Sequence, residues 1–397
     1  MIPCSQAFLT ALKNPNKQLW IKLEFYTNSM SFIDSFEHMV TPDDLGHISV
    51  DTTKDVQKSF TFSLINTDGS FTWGSNNLVW LNKRIKLYIG LTLADGTIEY
   101  VPQGIFVLTE PEDTHEPEDE KCTINAADKT YLLTGSRGKF ATQTTIATGT
   151  PITTAIQTIA GDVGETLFSF DPGITTTLPY DATYNANDSR WKAIQDLATM
   201  ANCLVYYDVY GYLRLKQINL NDLQNYAPVW TFDTTNPNEI FYAGNQRKLD
   251  DSELANHIIV VGGGDTTGVV SDEIIVTNTD PFWANNPNVA PYFKENIGDL
   301  IYMWNHGNAD PALLTKEDCH YRAKWCLMKY LGYTEELDFK CAPHYLLEGN
   351  DIVNVNDPAN NVNGNYLIES FTLPIKPDLM SIKAKKQILV ITDWNSF

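Results

Sequence analysis

The chain has 397 residues, a formal net charge of −21 and 12% aromatic residues, whereas only 19% of its residues are charged. This length suffices for roughly two to four domains with buried cores. The negative charge argues against a basic surface that binds the phosphates of nucleic acids, so we expect DNA to contact the protein only transiently. Residues 1–17 lack both a basic segment and a long apolar core, which predicts a soluble protein made in a cytoplasm. We therefore expect no membrane-spanning segment.

Residue usage favours β structure, because Tyr, Trp, Thr and Asn are abundant. The six cysteines lie far apart and form no C-x-x-C pair, which excludes zinc ribbons and redox motifs of that type. Cys319 and Cys326 lie on a predicted helix beside His320. Residues seven positions apart share the apolar face of a helix, so we predict buried thiols, with a metal site as the alternative.

Residues 1–135 are predicted to form a small β-barrel. After a short helix over 5–13, period-two patterns predict strands at 19–25, 59–65, 84–90, 104–109 and 122–127. In the second of these, Phe60 and Phe62 alternate with Ser and Thr, which predicts one buried face and one wet face. Turns rich in Asn, Asp and Gly separate the strands.

An acidic run over 110–120 interrupts this domain and surrounds His115 with carboxylates. A metal site or a proton relay is one interpretation of this cluster. Dense like charge and two prolines favour the other interpretation, a solvated hairpin loop.

Residues 136–245 are predicted to form an α+β domain. Thr150 is the expected N-cap of a first helix, whose apolar residues share one face. A second helix begins near Ser189 and leads into a hairpin over 204–215. The alternation of helix, helix and hairpin indicates a small separate core.

The remaining chain is predicted to hold a second β-barrel domain, made of 246–275 and 333–397. Residues 276–332 form an inserted subdomain that is loop-rich and ends in a helix over 316–331. Thr315 and Asp318 occupy the capping positions of this helix. The fold class is therefore a β-rich, multidomain α+β protein with two similar barrels, an α+β domain between them and a helix-containing insertion in the second.

A glycine cluster over 262–264 follows a strand and raises the question of nucleotide binding. A dinucleotide-binding turn leads from strand to helix, with the helix N-terminus facing the phosphates. Here another strand-like run follows at 271–276, so we predict a hairpin and no nucleotide.

The stretch 346–375 contains seven Asn together with Asp and Glu residues, so calcium binding has to be considered. An EF-hand loop needs carboxylates at alternate positions and a Glu at the twelfth. Between Asp351 and Asp357 the sequence instead alternates as a strand, and 358–364 has the composition of a turn. We predict a surface hairpin.

A faint internal repeat links the two predicted barrels. Residues 85–125 and 350–385 both contain a strand, a loop, a Gly followed two residues later by an aromatic residue, and a further strand. A duplicated barrel is the hypothesis that this pattern suggests.

Taken in order along the chain, several segments resemble the baseplate-hub, or tail-hub, proteins of tailed bacteriophages, a region that also heads many tail-associated lysins. The segments that carry the resemblance are 101–108, 124–133, 191–198, 210–215, 256–263, 347–355 and 364–370. The resemblance implies a homotrimer in which each chain contributes two barrels to a ring of six. Such a trimeric hub would adapt a sixfold tail tube or distal tail ring to a threefold tip and form a channel for DNA and the tape-measure protein.

The resemblance also implies partners and a location. The expected partners are a distal tail or tail tube protein, the tape-measure protein, and a tail fibre, spike or lysin chain at the tip. The expected location is the tail tip or baseplate of the virion, after assembly in the host cytoplasm. The sequence has no counterpart of the C-terminal lysin or fibre domain of some relatives, so we expect cell-wall cleavage or receptor contact to come from another chain.

Two other functions stay open on the sequence alone. A host-attachment or carbohydrate-binding protein is one, because aromatic residues are plentiful and Trp283 lies in an Asn- and Pro-rich segment. A β-rich cell-wall glycoside hydrolase is the other, since carboxylate pairs are defined in space and not by spacing along the chain. No serine-hydrolase, zinc-protease or P-loop motif occurs, so we predict a non-enzyme without catalytic, cofactor-binding or metal-binding residues.

Overall fold

A computed structural model of the chain describes residues 1–41, 46–116, 119–217, 227–236, 239–240, 242–249, 251–265, 268–376 and 378–388. The helices are α1 (Gln6–Leu12), α2 (Ile152–Gly161), α3 (Arg190–Met200), α4 (Pro281–Ala284), α5 (Lys294–Ile297) and α6 (Lys316–Tyr330). The first strands are β1 (Leu19–Thr27), β2 (Phe32–Met39), β3 (Gly46–Asp51), β4 (Lys58–Ile65), β5 (Lys83–Thr92), β6 (Ile98–Leu108), β7 (Glu112–Glu116) and β8 (Asp119–Asp128). Strands of the middle of the chain are β9 (Thr144–Ile146), β10 (Phe168–Phe170), β11 (Ala182–Tyr184), β12 (Cys203–Tyr207), β13 (Leu213–Gln217), β14 (Trp230–Asp233) and β15 (Tyr242–Leu249). The last strands are β16 (His257–Asp265), β17 (Gly268–Ile275), β18 (Ile301–Met303), β19 (Tyr333–Cys341), β20 (Ile352–Asp357), β21 (Val362–Pro374) and β22 (Met380–Gln387).

One large sheet joins the two ends of the chain. Its main path runs in the order β15-β19-β22-β21-β3-β4-β8-β6-β5-β1-β2, while β7 pairs with β8, and β20 pairs with both β14 and β21. At the centre of the path β3 pairs antiparallel with β21, where Ile48 lies opposite Leu373. Strands that are more than 300 residues apart in sequence therefore form one continuous ladder.

The sheet contains the same five-stranded unit twice. The N-terminal unit has the order β3-β4-β8-β6-β5, and the C-terminal unit has the order β15-β19-β22-β21-β20. Every neighbouring pair within both units is antiparallel. The repeat predicted between 85–125 and 350–385 is thus present in the strand topology.

The predicted β-rich multidomain fold is confirmed, but the closed barrels are not found. Strand pairing among the described residues leaves β15 and β2 as open ends of the path. The physical reason is the partner of β3, which pairs with β21 of the other unit and not with a strand that would close its own. The two units form one open sheet that is continuous across their junction.

A single apolar core lies on one face of both units. Alternation buries Phe60 and Phe62 of the N-terminal unit, as predicted, and likewise Leu337 and Phe339 of the C-terminal unit. All four belong to one continuous cluster of buried side chains. We infer that the two units fold as one cooperative body, because neither encloses a core of its own.

His344 gives this core a dependence on pH. Its ring is fully buried and packs edge-on against Trp230 at 4.4 Å between centroids, while Nδ1 accepts the Leu346 N–H at 3.4 Å. Burial lowers the pKa of His344 from 6.5 to about 3. Since the pKa is lower in the folded chain, the unfolded chain takes up the proton first, and stability is lost as the pH falls from about 6.5 towards 3.

Between pH 7 and pH 4.5, we expect the free energy of unfolding to fall by about 2–3 kcal/mol more in the natural protein than in His344→Leu. The variant starts from a lower stability because the Leu346 N–H loses its acceptor, but its pH profile is flatter. Urea denaturation at the two pH values measures both losses. Equal losses in the two proteins would contradict a buried neutral imidazole.

The middle of the chain forms an α+β unit with its own core. Helices α2 and α3 pack on the sheet β10-β13-β12 and the ribbon β9-β11. The predicted cap of α3 is confirmed, since Ser189 Oγ accepts the Lys192 N–H at 3.3 Å. The predicted cap of α2 is wrong by one residue. Pro151 is the N-cap, since its carbonyl accepts the Ala155 N–H, and it makes no side-chain hydrogen bond. The carbonyl of Thr150 lies outside the helix and accepts from the Leu178 N–H.

The inserted segment forms a third core between β15 and β19. Helix α6 packs against β16 and β17 of the sheet β17-β16-β18, and its predicted capping box between Thr315 and Asp318 is confirmed. In sheet membership β16 and β17 belong with this insertion and not with β15 or β19. The domain boundaries set out from the sequence stay predictions.

Buried cations join these parts of the chain. Arg322 of α6 donates from Nη2 to the Thr199 carbonyl at 2.7 Å, which links the insertion to the α+β unit. Lys129, just after β8, donates to Glu165 at 2.8 Å and to the Gly211 carbonyl at 2.9 Å.

Within the part of the chain that the structure describes, no helix combines the length and the apolarity needed to cross a membrane.

Candidate functional site

The face of the large sheet opposite the core is polar across seven strands, and we call it the polar wall. It spans β15, β19, β22, β21, β3, β4 and β8, whose side chains alternate between the two faces. Paired hydroxyl and amide groups connect neighbouring strands, as between Thr61 and Asn125 at 2.9 Å and between Ser63 and Thr123 at 3.0 Å. Two open depressions of about 560 and 390 Å³ lie along this wall.

Charges on the polar wall are paired across strands. Lys383 lies 3.3 Å from Glu336 and 3.4 Å from Glu369, and Lys385 lies 3.1 Å from Glu369. Burial opposes the charged form of Lys383, but Glu369 and Glu336 outweigh it and raise the pKa of this lysine. The polar wall therefore carries hydroxyls together with lysines and glutamates that are paired with each other.

Four described strands of the large sheet, β2, β7, β14 and β15, pair on one side only, and of these β15 belongs to a repeated unit while β7 extends the other unit beside β8. Among the described strands, β15 pairs only with β19, and β7 pairs only with β8. The β15 edge carries Arg247 and Lys248, and the β7 edge carries Glu112, Asp113 and other acidic groups. Unpaired edges are sites where another strand can add, so these two strands are the candidate interaction edges of the chain.

The acidic run over 110–120 forms the predicted hairpin, from β7 into β8, with 117–118 outside the described residues. His115 is exposed, and its Nδ1 lies 3.0 Å from Glu120 Oε1. A single carboxylate contact of this kind on an exposed side chain gives no enclosed ligand set. Throughout the described ranges, no group of three His, Cys, Asp or Glu side chains is placed to hold a metal ion.

The stretch 346–375 forms the predicted hairpin, from β20 into β21, but it is not a surface hairpin, because side chains of both strands, such as Val353 and Tyr366, are fully buried. Asp351 binds the N-terminal ammonium group at 2.7 Å, whereas Asp357, at the other end of β20, accepts from Asn245 at 2.7 Å. The turn between the strands passes through Asn361 with φ of 55°. The two carboxylates tie down different parts of the chain and do not converge on a shared ligand.

The helical cysteines are buried thiols, as predicted. Cys319 and Cys326 are fully buried on α6, and burial raises the pKa of Cys326 to about 12. A thiol with so high a pKa is protonated near neutral pH and is therefore a poor nucleophile. His320 points to Asp272 at 2.5 Å and not to either sulfur.

His257, which no sequence motif indicated, lies between two carboxylates. Its Nδ1 is 2.8 Å from Asp299 and its Nε2 is 3.2 Å from Glu273. Hydrogen bonds from Lys294 and His257 lower the pKa of Asp299. Both ring nitrogens are engaged, so the group fastens β16 to the segment before β18. The i and i+16 spacing of His257 and Glu273 on two strands of a predicted hairpin is the signal that could have revealed it.

Trp283, the candidate for sugar stacking, is fully buried in the core of the insertion. Its ring meets Phe282 edge-on at 4.7 Å between centroids. A side chain without exposed ring surface cannot stack on a sugar, so Trp283 does not support the carbohydrate-binding alternative.

The glycine cluster over 262–264 lies in the antiparallel hairpin of β16 and β17, and 266–267 fall outside the described residues. Leu313 and Cys319 lie against Gly262, where a Cβ atom would come within 2.5 Å of the Leu313 carbonyl oxygen. Close packing of the backbone accounts for this glycine, and no helix N-terminus follows the cluster as a nucleotide site requires.

Comparison with solved structures places this fold among phage tail proteins. The chain is similar to a tail protein from Neisseria meningitidis, with a TM-score of 0.62 and 11% identity over 94% of this chain and 98% of that one. It is also similar to the prophage MuSo2 tail protein from Shewanella oneidensis, with a TM-score of 0.55, 11% identity, and coverage of 93% and 99%. A prophage tail protein from Listeria monocytogenes matches with a TM-score of 0.52, 12% identity, and coverage of 92% and 95%. No protein-family model and no curated protein sequence matches the chain.

The chain thus has the fold of these phage tail proteins along nearly its whole length. The expected similarity in fold to phage tail proteins is confirmed, whereas the two closed barrels that the resemblance implied are not found among the described strands. Sequence identities of this size establish the fold and leave the function to be argued from the residues.

Proposed function

We propose that this protein is a structural component of a bacteriophage tail, a hub at the tail tip or baseplate, and that it acts as a trimer. The observation that carries the proposal is the duplication: two five-stranded units with one topology lie edge to edge in a single sheet. Three copies of the chain then supply six near-equivalent units. The fold of the phage tail proteins described above supports the same class of function.

The duplication solves a problem of symmetry. A threefold tip that meets a sixfold tube or distal tail ring would leave half of the partner's contacts empty. Six similar units from three chains offer an equivalent contact to each subunit of a sixfold partner. We propose a distal tail or tail tube protein as that partner, and a fibre, spike or lysin chain on the threefold side.

The polar wall is the proposed lining of a central channel. Hydroxyls and balanced ion pairs offer neither a basic track that holds DNA nor an apolar surface that holds the tape-measure protein. DNA and the tape-measure protein would pass along such a lining without strong binding. We propose a non-enzymatic role in the virion, after assembly in the host cytoplasm.

Mass photometry and negative-stain imaging test the trimer. We expect particles of three 44.7 kDa chains that form a ring with a central channel, either alone or after mixing with the tube-side protein. Incubation with purified cell wall is expected to release no muropeptide or reducing sugar. A monomer under every condition, or a solid particle without a channel, would overturn the hub.

A further inference from the structure

We propose that the ring closes through backbone pairing between copies of this chain, with β7 of one copy antiparallel to β15 of the next. In this register Glu112 lies opposite Lys248, and Asp113 lies opposite Arg247. The inference rests on the proposed trimer and specifies which strands join its chains. Each chain contributes one edge at either end, so the contact is head-to-tail and repeats until the ring closes.

The junction inside the chain is the template. The C-terminal half of β21 leaves β20 and pairs with β3, so that Leu373 lies opposite Ile48 and Thr372 opposite Ser49. This is the contact by which the C-terminal unit holds the N-terminal unit. In a ring of six equivalent units, the three remaining junctions join the N-terminal unit of one copy to the C-terminal unit of the next, through the strands that correspond to β21 and β3.

The two units correspond residue by residue, starting from two glycines. Gly104 in β6 and Gly364 in β21 both have positive φ, at 153° and 144°. Two residues further on, Phe106 and Tyr366 are both fully buried. These four residues fix the alignment of β6 with the first half of β21.

Strand β7 corresponds to the C-terminal half of β21. In both units the ladder shifts by one residue after the buried aromatic residue, as a β-bulge. The pairs on either side of the shift are Leu108–Ala126 and Glu112–Thr123 in the N-terminal unit, and Ile368–Ala384 and Thr372–Ser381 in the C-terminal unit. Glu112 therefore occupies the position of Thr372, and Asp113 that of Leu373.

Strand β15 corresponds to β3 in the same way. Ala126 of β8 and Ala384 of β22 are equivalent. In the N-terminal unit Ala126 pairs with Phe60 of β4, which pairs with Ile48 of β3. In the C-terminal unit Ala384 pairs with Leu337 of β19, which pairs with Arg247 of β15. Arg247 therefore occupies the position of Ile48, and Lys248 that of Ser49. Transfer of the internal register to the open edges gives the two charge pairs of the proposal.

The chemistry of the two edges fits this register. Carboxylates of β7 meet cations of β15, and opposite charges directly across an antiparallel ladder stabilise it. Asp113 accepts the Trp73 N–H at 3.1 Å through Oδ2, while its Oδ1 is buried without a hydrogen-bond partner among the described residues. In the proposed register Arg247 points to the same face of the sheet as Asp113. Its Nη2 donates to Glu335 Oε2 at 2.7 Å. Charged edges also resist pairing with unrelated sheets, so the contact is selective for a second copy of this chain.

Disulfide trapping tests the register. We suggest the pair Glu112→Cys and Lys248→Cys in a Cys4→Ser background, since Cys4 is the one partly buried native cysteine while the other five are buried. Opposite residues of an antiparallel ladder have Cα atoms about 4.5–5.5 Å apart, within the range of a disulfide. The matched control pairs Glu112→Cys with Leu249→Cys, because Leu249 points to the opposite face. We expect covalent trimer on a non-reducing gel, roughly tenfold more than in the control.

Assembly is followed in parallel by mass photometry, so that the two proposals fail separately. A trimer that forms but gives no covalent trimer with Glu112→Cys and Lys248→Cys, or as much with the control pair, would overturn the β7–β15 contact and leave the hub intact. A chain that forms no trimer, alone or with the tube-side protein, would overturn the hub and this contact with it.

Discussion

Replacing Lys129 with Met is expected to lower the free energy of unfolding by about 3–5 kcal/mol, the range for breaking one partner of a buried ion pair. The Lys129 and Glu165 side chains are 6% and 3% exposed. Glu165 also accepts from the Tyr207 hydroxyl at 2.8 Å and from the Thr166 and Leu167 N–H groups at 2.9 Å. Loss of the lysine therefore leaves the Glu165 carboxylate buried without the cation that donates a hydrogen bond to it.

Denaturant unfolding measures this loss, and Lys192→Ala provides the control. Lys192 forms an ion pair with Asp196 on α3, but the two side chains are 70% and 59% exposed, so its removal is expected to change stability very little. Because Lys129 also donates to the Gly211 carbonyl, the variant is expected to loosen the α+β unit from the end of β8. Similar unfolding curves for the Lys129→Met and Lys192→Ala variants would show that water reaches the Lys129 pair.

Local pattern predicted several strands and the caps of α3 and α6, although it placed the cap of α2 one residue too early. Alternation in β4 identified Phe60 and Phe62 as core residues, and the spacing of Thr315 and Asp318 identified the start of α6. These features depend on residues within a few positions of each other. The repeat could also be recognised in the sequence. Both units require a positive φ at the same position, and glycine adopts it most readily, so Gly104 and Gly364 occur at equivalent positions.

Strand partners were not predictable from the same patterns. The choice of β21 as the partner of β3 depends on which edge is open in the folded chain, and the two strands lie on either side of the α+β unit and the insertion. Because β3 pairs with β21, the two units form one open sheet in place of the two predicted barrels. The burial of Trp283 was not predictable either. The Asn and Pro residues around it indicate turns in the segment, but they do not indicate whether the segment covers a core.

The separation of core and wall explains how one duplicated unit can serve as a channel component. The buried face joins the two units into one core, and the opposite face remains hydroxylic and charge-balanced. The acidic β7 hairpin carries part of the net charge of −21. In the proposed ring that acidic strand has a specific task, which is to meet the cations of β15.

Reversal of one charge at this contact is expected to weaken the trimer, and reversal of both is expected to restore it. Lys248→Glu places a carboxylate opposite Glu112 at each of three junctions. At about 1 kcal/mol per junction, the association weakens roughly a hundredfold. The repulsion that Lys248→Glu creates with Glu336 acts within one chain, so it is present before and after association and cancels.

Sedimentation over a concentration series measures the association of Lys248→Glu, of Glu112→Lys and of the double variant. Lys192→Glu makes the same change in net charge as Lys248→Glu, but on α3 and outside both edge strands, and is expected to assemble like the natural protein. Restoration in the double variant identifies the two side chains as cross-strand partners, because a general effect of net charge would not depend on which of them carries the lysine. Single variants that assemble normally, or a double variant as weak as either single one, would contradict the register.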